Sequence, residues 1–257
     1  MTPPNIETPK KKFPFIATIL MIAGVIILAL LGNWQVERLA WKTDIITKIE
    51  TARESRDQHS KLTANELASA PDNQTTSFHV GHIEGQFYND KEIFVGPRVY
   101  NGLKGHHVIV PFKLDGGTII LVNRGWVSDD YKEQSKRSQF TRSGPTKVFG
   151  MARLAEPANR FTPENKPNQD EWYAVNTGQM AAYSGFRENV SPYIFYSEKL
   201  NKYYQGWPVP HDPAYLPANN HLGYAIFWFL MIIPLIAIYY LRFWKQTAPP
   251  PATRKKS

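Results

Sequence analysis

The chain has no cysteine, so its folded part cannot depend on disulfides, and thiolate sites for zinc or copper are excluded. The methionines form no cluster, which removes a thioether copper site as well. Histidine is present, but never as His-x-x-x-His or His-Glu-x-x-His. His79 and His82 fall on different faces of one predicted strand, and His106 and His107 on opposite faces of another, so neither pair converges. There is no Gly-x-Ser-x-Gly elbow, no phosphate loop and no dinucleotide fingerprint. The sequence therefore gives no positive signal for an enzyme. An envelope hydrolase would need a nucleophile and base brought together by folding alone.

The net positive charge is concentrated in the two flanks of the chain. The net charge is +8, yet the stretch between the two apolar runs carries 22 basic and 21 acidic residues. The folded part thus has almost no net basic excess, which argues against nucleic-acid binding. The runs, Phe13 to Leu31 and Leu222 to Leu241, are free of charge. Each is about 20 residues long, enough to cross a hydrocarbon core of roughly 30 Å. Gly32, Asn33 and Trp34 follow the first run in place of a small-residue cleavage site, so it reads as an uncleaved anchor. Pro234 in the second run is tolerated in a spanning helix as a kink.

Lys10, Lys11 and Lys12 precede the first run, and Arg242, Lys245, Arg254, Lys255 and Lys256 follow the second, which puts both termini in the cytoplasm. Trp34, Tyr224 and Trp228 form an outer aromatic belt, and Tyr239, Tyr240, Phe243 and Trp244 an inner one. The segment before Phe13 has no arginine and contains Glu7, unlike an organellar presequence. The expected location is a bacterial inner membrane, with residues 1–12 cytoplasmic, 13–32 and 221–241 spanning, 33–220 periplasmic and 242–257 cytoplasmic.

From Trp34 to Ser55 the apolar residues recur at helical spacing without Gly or Pro, so the first span is expected to continue as a helix. Strands are predicted at Phe78 to Phe87, Glu92 to Arg98, Gly105 to Leu114, Thr118 to Val127, Thr146 to Arg153, Trp172 to Val175 and Tyr193 to Tyr196. Asp115, Gly116 and Gly117 supply a hairpin turn. Ser128 to Ser143 reads as a helix or exposed loop, Gln179 to Gly185 as a short helix and Tyr203 to Pro217 as an extended connector. Asn219 and Asn220 stand where a helix cap belongs. The fold class is two transmembrane α-helices flanking a mainly antiparallel β (α+β) extracytoplasmic domain.

His221 opens the second span at the outer interface, with Tyr224 and Trp228 three and seven residues on. A neutral imidazole there can ligate an iron centre at the bilayer edge between aromatic flanks. From position alone the plainer explanation is a polar residue in an interfacial belt. Arg124, in the run Val122 to Val127, can lie over an indole or reach an acidic partner, and a buried Trp with a paired Arg accounts for that run.

Three blocks, in order, resemble the surfeit-locus-one family of cytochrome c oxidase assembly factors. They are Gly32, Trp34, Gln35, Arg38, Trp41 and Lys42 after the first span, then Val122-Asn123-Arg124-Gly125-Trp126-Val127. The third is Asn219-Asn220-His221-Leu222-Gly223-Tyr224-Ala225 with Trp228 and Phe229. Val110-Pro111-Phe112, and Asn176 after Trp172-Tyr173, depart from the family pattern. The resemblance implies a non-catalytic role in maturing oxidase subunit I, with haem a held or passed on and haem a synthase as a further partner. It implies His221 as the ligand to the haem iron, Tyr224 and Trp228 as lining residues, and Arg38 and Arg124 as partner contacts. The competing expectations are a haem-free membrane scaffold for an oxidase intermediate and a periplasmic envelope enzyme.

Overall fold

The computed structural model describes residues 13–55, 57, 59–70, 77–155, 158, 160–199, 206–212 and 216–243. In chain order its elements are α1 (Phe15–Ser55), α2 (Ala64–Ala68), β1 (Phe78–Phe87), β2 (Ile93–Tyr100), β3 (Leu103–Leu114), β4 (Ile119–Ser128) and β5 (Pro145–Leu154). They continue with α3 (Thr177–Tyr183), β6 (Val190–Ser197), α4 (His221–Leu230) and α5 (Ile232–Phe243). The chain divides into two compact units, Met1–Asp44 with Pro217–Ser257 and Ile45–Leu216, and the division falls inside α1.

In the first unit, α1 and the α4–α5 pair are long and apolar enough to cross a membrane, and only 6% of each apolar window is buried within the chain. A core helix of a soluble protein would be covered by its neighbours; these two leave their apolar sides uncovered, as helices that cross a membrane do. Their mutual contact uses small residues. A Cβ on Gly32 would lie 2.6 Å from the Phe229 ring, and one on Gly24 would lie 3.0 Å from Leu235. Near the other end, the Thr18 and Tyr239 hydroxyls meet at 2.5 Å. Close approach of this kind is how helices associate where lipid supplies no hydrophobic drive. The second span breaks at Met231, between α4 and α5. The cause is Pro234, which has no N–H for the Leu230 carbonyl. The flanking residues on which the orientation rests, Lys10 to Lys12, Lys245 and Arg254 to Lys256, lie outside the described residues, as does Trp244.

In the second unit the strand pairings form a ring. β1 pairs with β5, β5 with β6, β6 with β4 and β4 with β3. β3 returns to β1 through Gly85↔Leu114, Gln86↔Lys113 and Phe87↔Phe112, and β2 is added on β3. Among the named strands β4 and β6 run parallel, and the other pairs are antiparallel. Ile83, Phe87, Val110, Phe112, Ile120, Val122, Val148 and Phe195 belong to the main core of this closed sheet. A second core of Ile93, Val95, Ile109, Leu121, Trp172, Met180 and Ile194 joins the same strands to the α3 region. Because both of its faces are covered, β4 is buried from Ile119 through Val127, and its sequence is continuously apolar at the start instead of alternating. The membrane-distal part of α1 packs here too, with Ile45 and Ile49 against Val80 and Met151.

Six of the seven predicted strands are present, and the helix beyond Trp34 runs to Ser55. The exception is Trp172 to Val175, which contributes only an isolated bridge from Trp172 to Val95. There the Asn165 side chain accepts from the Tyr173 and Ala174 amides and donates to the Ala174 carbonyl, serving the backbone in place of a ladder. Ser128 to Ser143 forms 3-10 turns at Asp129–Tyr131 and Gln134–Phe140. α2 was not foreseen, although Thr63 and Glu66 form a reciprocal capping box whose spacing is visible in the sequence. Asn220 stands at the cap position of α4 but makes no side-chain cap bond. Of the predicted connector Tyr203 to Pro217, residues 203–205 and 213–215 lie outside the described residues.

Candidate functional site

His221 is the first residue of α4, so its backbone is fixed by the helix while its ring remains at the helix end. The ring's Nδ1 lies 2.7 Å from Oε1 of Gln35, a buried side chain of α1. A carbonyl oxygen only accepts, so Nδ1 carries the proton in this contact, and in the neutral imidazole Nε2 is then the nitrogen with the lone pair. Nε2 has no partner among the described residues and is not a buried atom. One residue pair, 186 positions apart, thereby sets both the tautomer and the tilt of the imidazole. Beside it, Asn219 donates to Thr43 Oγ1 at 3.1 Å, joining the start of the second span to α1 again. This arrangement suits an axial metal ligand: histidines that bind metals usually donate their other N–H to a fixed acceptor.

Trp228 is half-buried on the same helix, whereas Tyr224 is 57% exposed. Three residues advance a helix by 300°, so Tyr224 sits to one side of the stripe shared by His221 and Trp228. Arg38 is exposed, held between the rings of Trp34 and Trp41 at 5.6 and 5.4 Å. Those contacts keep its guanidinium extended along α1 without removing it from the surface. The sequence alone assigns Gln35 no task, since its partner is 186 positions away.

The Val122 to Val127 block has a different purpose in each residue. Gly125 N–H donates to Oδ1 of Asn123, which obliges the amide nitrogen of Asn123 to donate to Nδ1 of His107 at 3.3 Å. Arg124 is buried at 8% exposure; it donates to the Phe140 carbonyl and Asn89, lies 5.0 Å above the Phe87 ring and pairs with Glu92 at 3.7 Å. Of the two options for Arg124, the acidic partner is the one realised; the ring beneath it is Phe87, not an indole. Glu92 also pairs with the buried Arg137, so the two arginines fasten residues 129–140 to the barrel. Gly125 has φ +122°, and a Cβ there would come within 2.0 Å of the Val209 carbonyl. Only glycine admits the connector, which bonds to Trp126 in both directions.

Beneath that connector, the His107 and His211 rings meet edge to face at 5.3 Å, and Tyr196 stacks edgewise on His211 at 4.9 Å. Burial, aided by His211, Arg98 and Arg153, pulls His107 down to about 3; burial and Arg153 pull His211 down to about 4. His106 takes the opposite side of the strand, with Nδ1 3.1 Å from Asp129. No group of three or more metal-ligating side chains occurs among the described residues.

A family model described as "SURF1 family" matches residues 22–233. A SURF1-like protein of Monosiga brevicollis is 30% identical over 214 residues, covering 77% of either chain. A SURF1-like protein of Rickettsia bellii is 29% identical over 218 residues, 83% of this chain and 85% of that one. Surfeit locus protein 1 of Homo sapiens is 26% identical over 236 residues, 84% of this chain and 74% of its own length.

Proposed function

The chain belongs to the SURF1 family, and from that premise we propose that it is a membrane-anchored assembly factor for a haem-copper (cytochrome c) oxidase that holds haem a while subunit I is matured. The observation that carries the haem part is the 2.7 Å contact between His221 and Gln35. It leaves a bare nitrogen, oriented from behind by a buried amide, at the end of a helix whose surface is otherwise apolar. Haem a is cargo here; its iron supplies the bond to Nε2, and its apolar rim suits the lipid-facing flanks of α4. Trp228 lines the site beside His221, and the more exposed Tyr224 closes it from the side. Arg38, displayed between two indoles, offers a cation to a partner. Arg124 acts on a partner through residues 129–140, which it fastens. In a bacterium the spans would lie in the inner membrane with the barrel in the periplasm, near subunit I and haem a synthase as they act.

The chain purified from cells that make haem a should show a haem a absorption spectrum, and His221→Ala should lose most of it while still accumulating in the membrane. An unchanged spectrum in His221→Ala would refute the ligand assignment. If neither protein carries haem, the role is that of a haem-free scaffold.

A further inference from the structure

Residues of β1, β4, β5 and β6 line a cleft of about 140 Å³ that includes none of the residues around His221. Phe87 and Val148 belong both to its lining and to the main barrel core, so it opens directly off the packed interior. Four cationic side chains line it, Arg124, Arg142, Lys147 and Lys199, against one carboxylate, Glu198. Three of these five charges are already matched. Glu198 pairs with Arg53, Arg124 with Glu92, and Lys147 with Glu84 at 2.9 Å. Arg142 and Lys199 have no carboxylate partner among the described residues; Arg142 donates only to the Lys147 carbonyl, at 3.2 Å. Next to Arg142, the Thr141 hydroxyl is buried without a hydrogen-bond partner.

Apart from Ser197, the rest of the lining is apolar, with Phe140, Phe149, Pro208 and Pro210 as its main surfaces. Low-dielectric walls around unmatched positive charge focus the field and raise the local concentration of anions. The volume is well below the roughly 300–1,000 Å³ of sites for whole drug-sized ligands, so the occupant is a single anionic group with a short stem. We propose that the cleft binds a carboxylate carried on an apolar stem, the two oxygens shared by Arg142 and Lys199 and the stem lying on the phenyl and proline surfaces. One carboxylate offers one oxygen to the guanidinium and one to the ammonium, and neutralises one of the two charges. Inorganic phosphate would leave the apolar wall bare. Two sources fit this chemistry, a free amphiphilic acid and an acidic side chain of a bound protein.

The test uses the full chain in detergent micelles and hexanoate as probe, followed by saturation-transfer NMR. Hexanoate should bind, and hexanamide, its neutral isostere, should bind about tenfold more weakly, the usual scale for a lost charge-assisted hydrogen bond. Arg142→Glu with Lys199→Glu should weaken hexanoate by at least about tenfold, with an unchanged melting midpoint, and Arg142→Lys should retain binding. Because the hexanamide comparison needs no variant, it stands even if the double substitution unfolds. The proposal falls if hexanoate and hexanamide bind alike, if the folded double variant binds hexanoate as well as the parent, or if phosphate displaces hexanoate at equal concentration. Acetyl-Leu-Glu-Leu-amide serves as the second arm. Tighter binding of the peptide than of hexanoate identifies a protein side chain as the source, and the reverse order identifies a free acid. This cleft and the His221 site share no residue, so either can fail without the other.

Discussion

Two positions before the first charge of α1, Gln35 puts a buried amide within 2.7 Å of His221. Neither residue signals chemistry alone, because polar side chains near span ends are ordinary. Together they define which imidazole nitrogen is free. If this is how the ligand is set up, Gln35→Ala should leave the protein in the membrane but weaken haem a retention by roughly 10- to 100-fold, the usual effect of losing a histidine's supporting acceptor. Gln35→Glu keeps an acceptor and should retain haem, with a more negative iron reduction potential because the ligand becomes more basic. Equal affinity in all three proteins, measured by spectrophotometric titration, would show that the amide has no part in binding.

The elements that bring Gln35 to His221 are α1 and α4, and their spacing depends on glycine. Gly32 lies three residues before Gln35 and faces Phe229, and Gly24 faces Leu235. Gly32→Ala can be absorbed by a swing of the Phe229 ring, since only the far edge of that side chain is in the way. Leucine at both positions would force the helices apart and break the Gln35–His221 contact. Gly24→Leu with Gly32→Leu is therefore expected to match Gln35→Ala in haem loss, while Gly32→Ala stays close to the parent. In the barrel, Gly125 has a comparable task for the connector, and Asn176 caps α3 by accepting from the Gln179 amide at 3.0 Å. The departure at Asn176 therefore costs α3 no cap, since an Asn accepts this hydrogen bond as an Asp would.

At the scale of the molecule, the pH dependence of stability follows from the buried imidazoles. His107 and His211 titrate near 3 and 4 when folded, below their ordinary 6.5. Between those values the unfolded chain holds more protons, so this contribution is intact above pH 6.5 and is lost as pH falls toward 4. The slope is at most about 1.4 kcal/mol per pH unit for each imidazole. Thermal melting followed from pH 7 downward should show a falling midpoint, and His211→Phe, which leaves no hydrogen bond unmade, should flatten the decline. The absence of cysteine makes the membrane arrangement equally accessible to experiment. A single cysteine at Asp130 should react with an impermeant maleimide added outside intact spheroplasts, and one at Ala252 should react only after lysis. The opposite pattern would overturn the proposed orientation.

The two spans, the helical continuation to Ser55 and six strands could be read from the sequence because each depends on local periodicity and on a run length set by bilayer thickness. The Val122 to Val127 run was legible as a buried Trp with a paired Arg from its local pattern at a strand end, and His221 stood out by its position at a span end. What folding alone decided were the long-range matches. These are the return of β3 to β1 that closes the barrel, the parallel pairing of β4 with β6, the second acid-shared arginine at 137, and the choice of Gln35 as the partner of His221. Hydrogen bonds and ion pairs between residues far apart in the chain leave no period in the sequence; they exist only once packing has brought the two sides together.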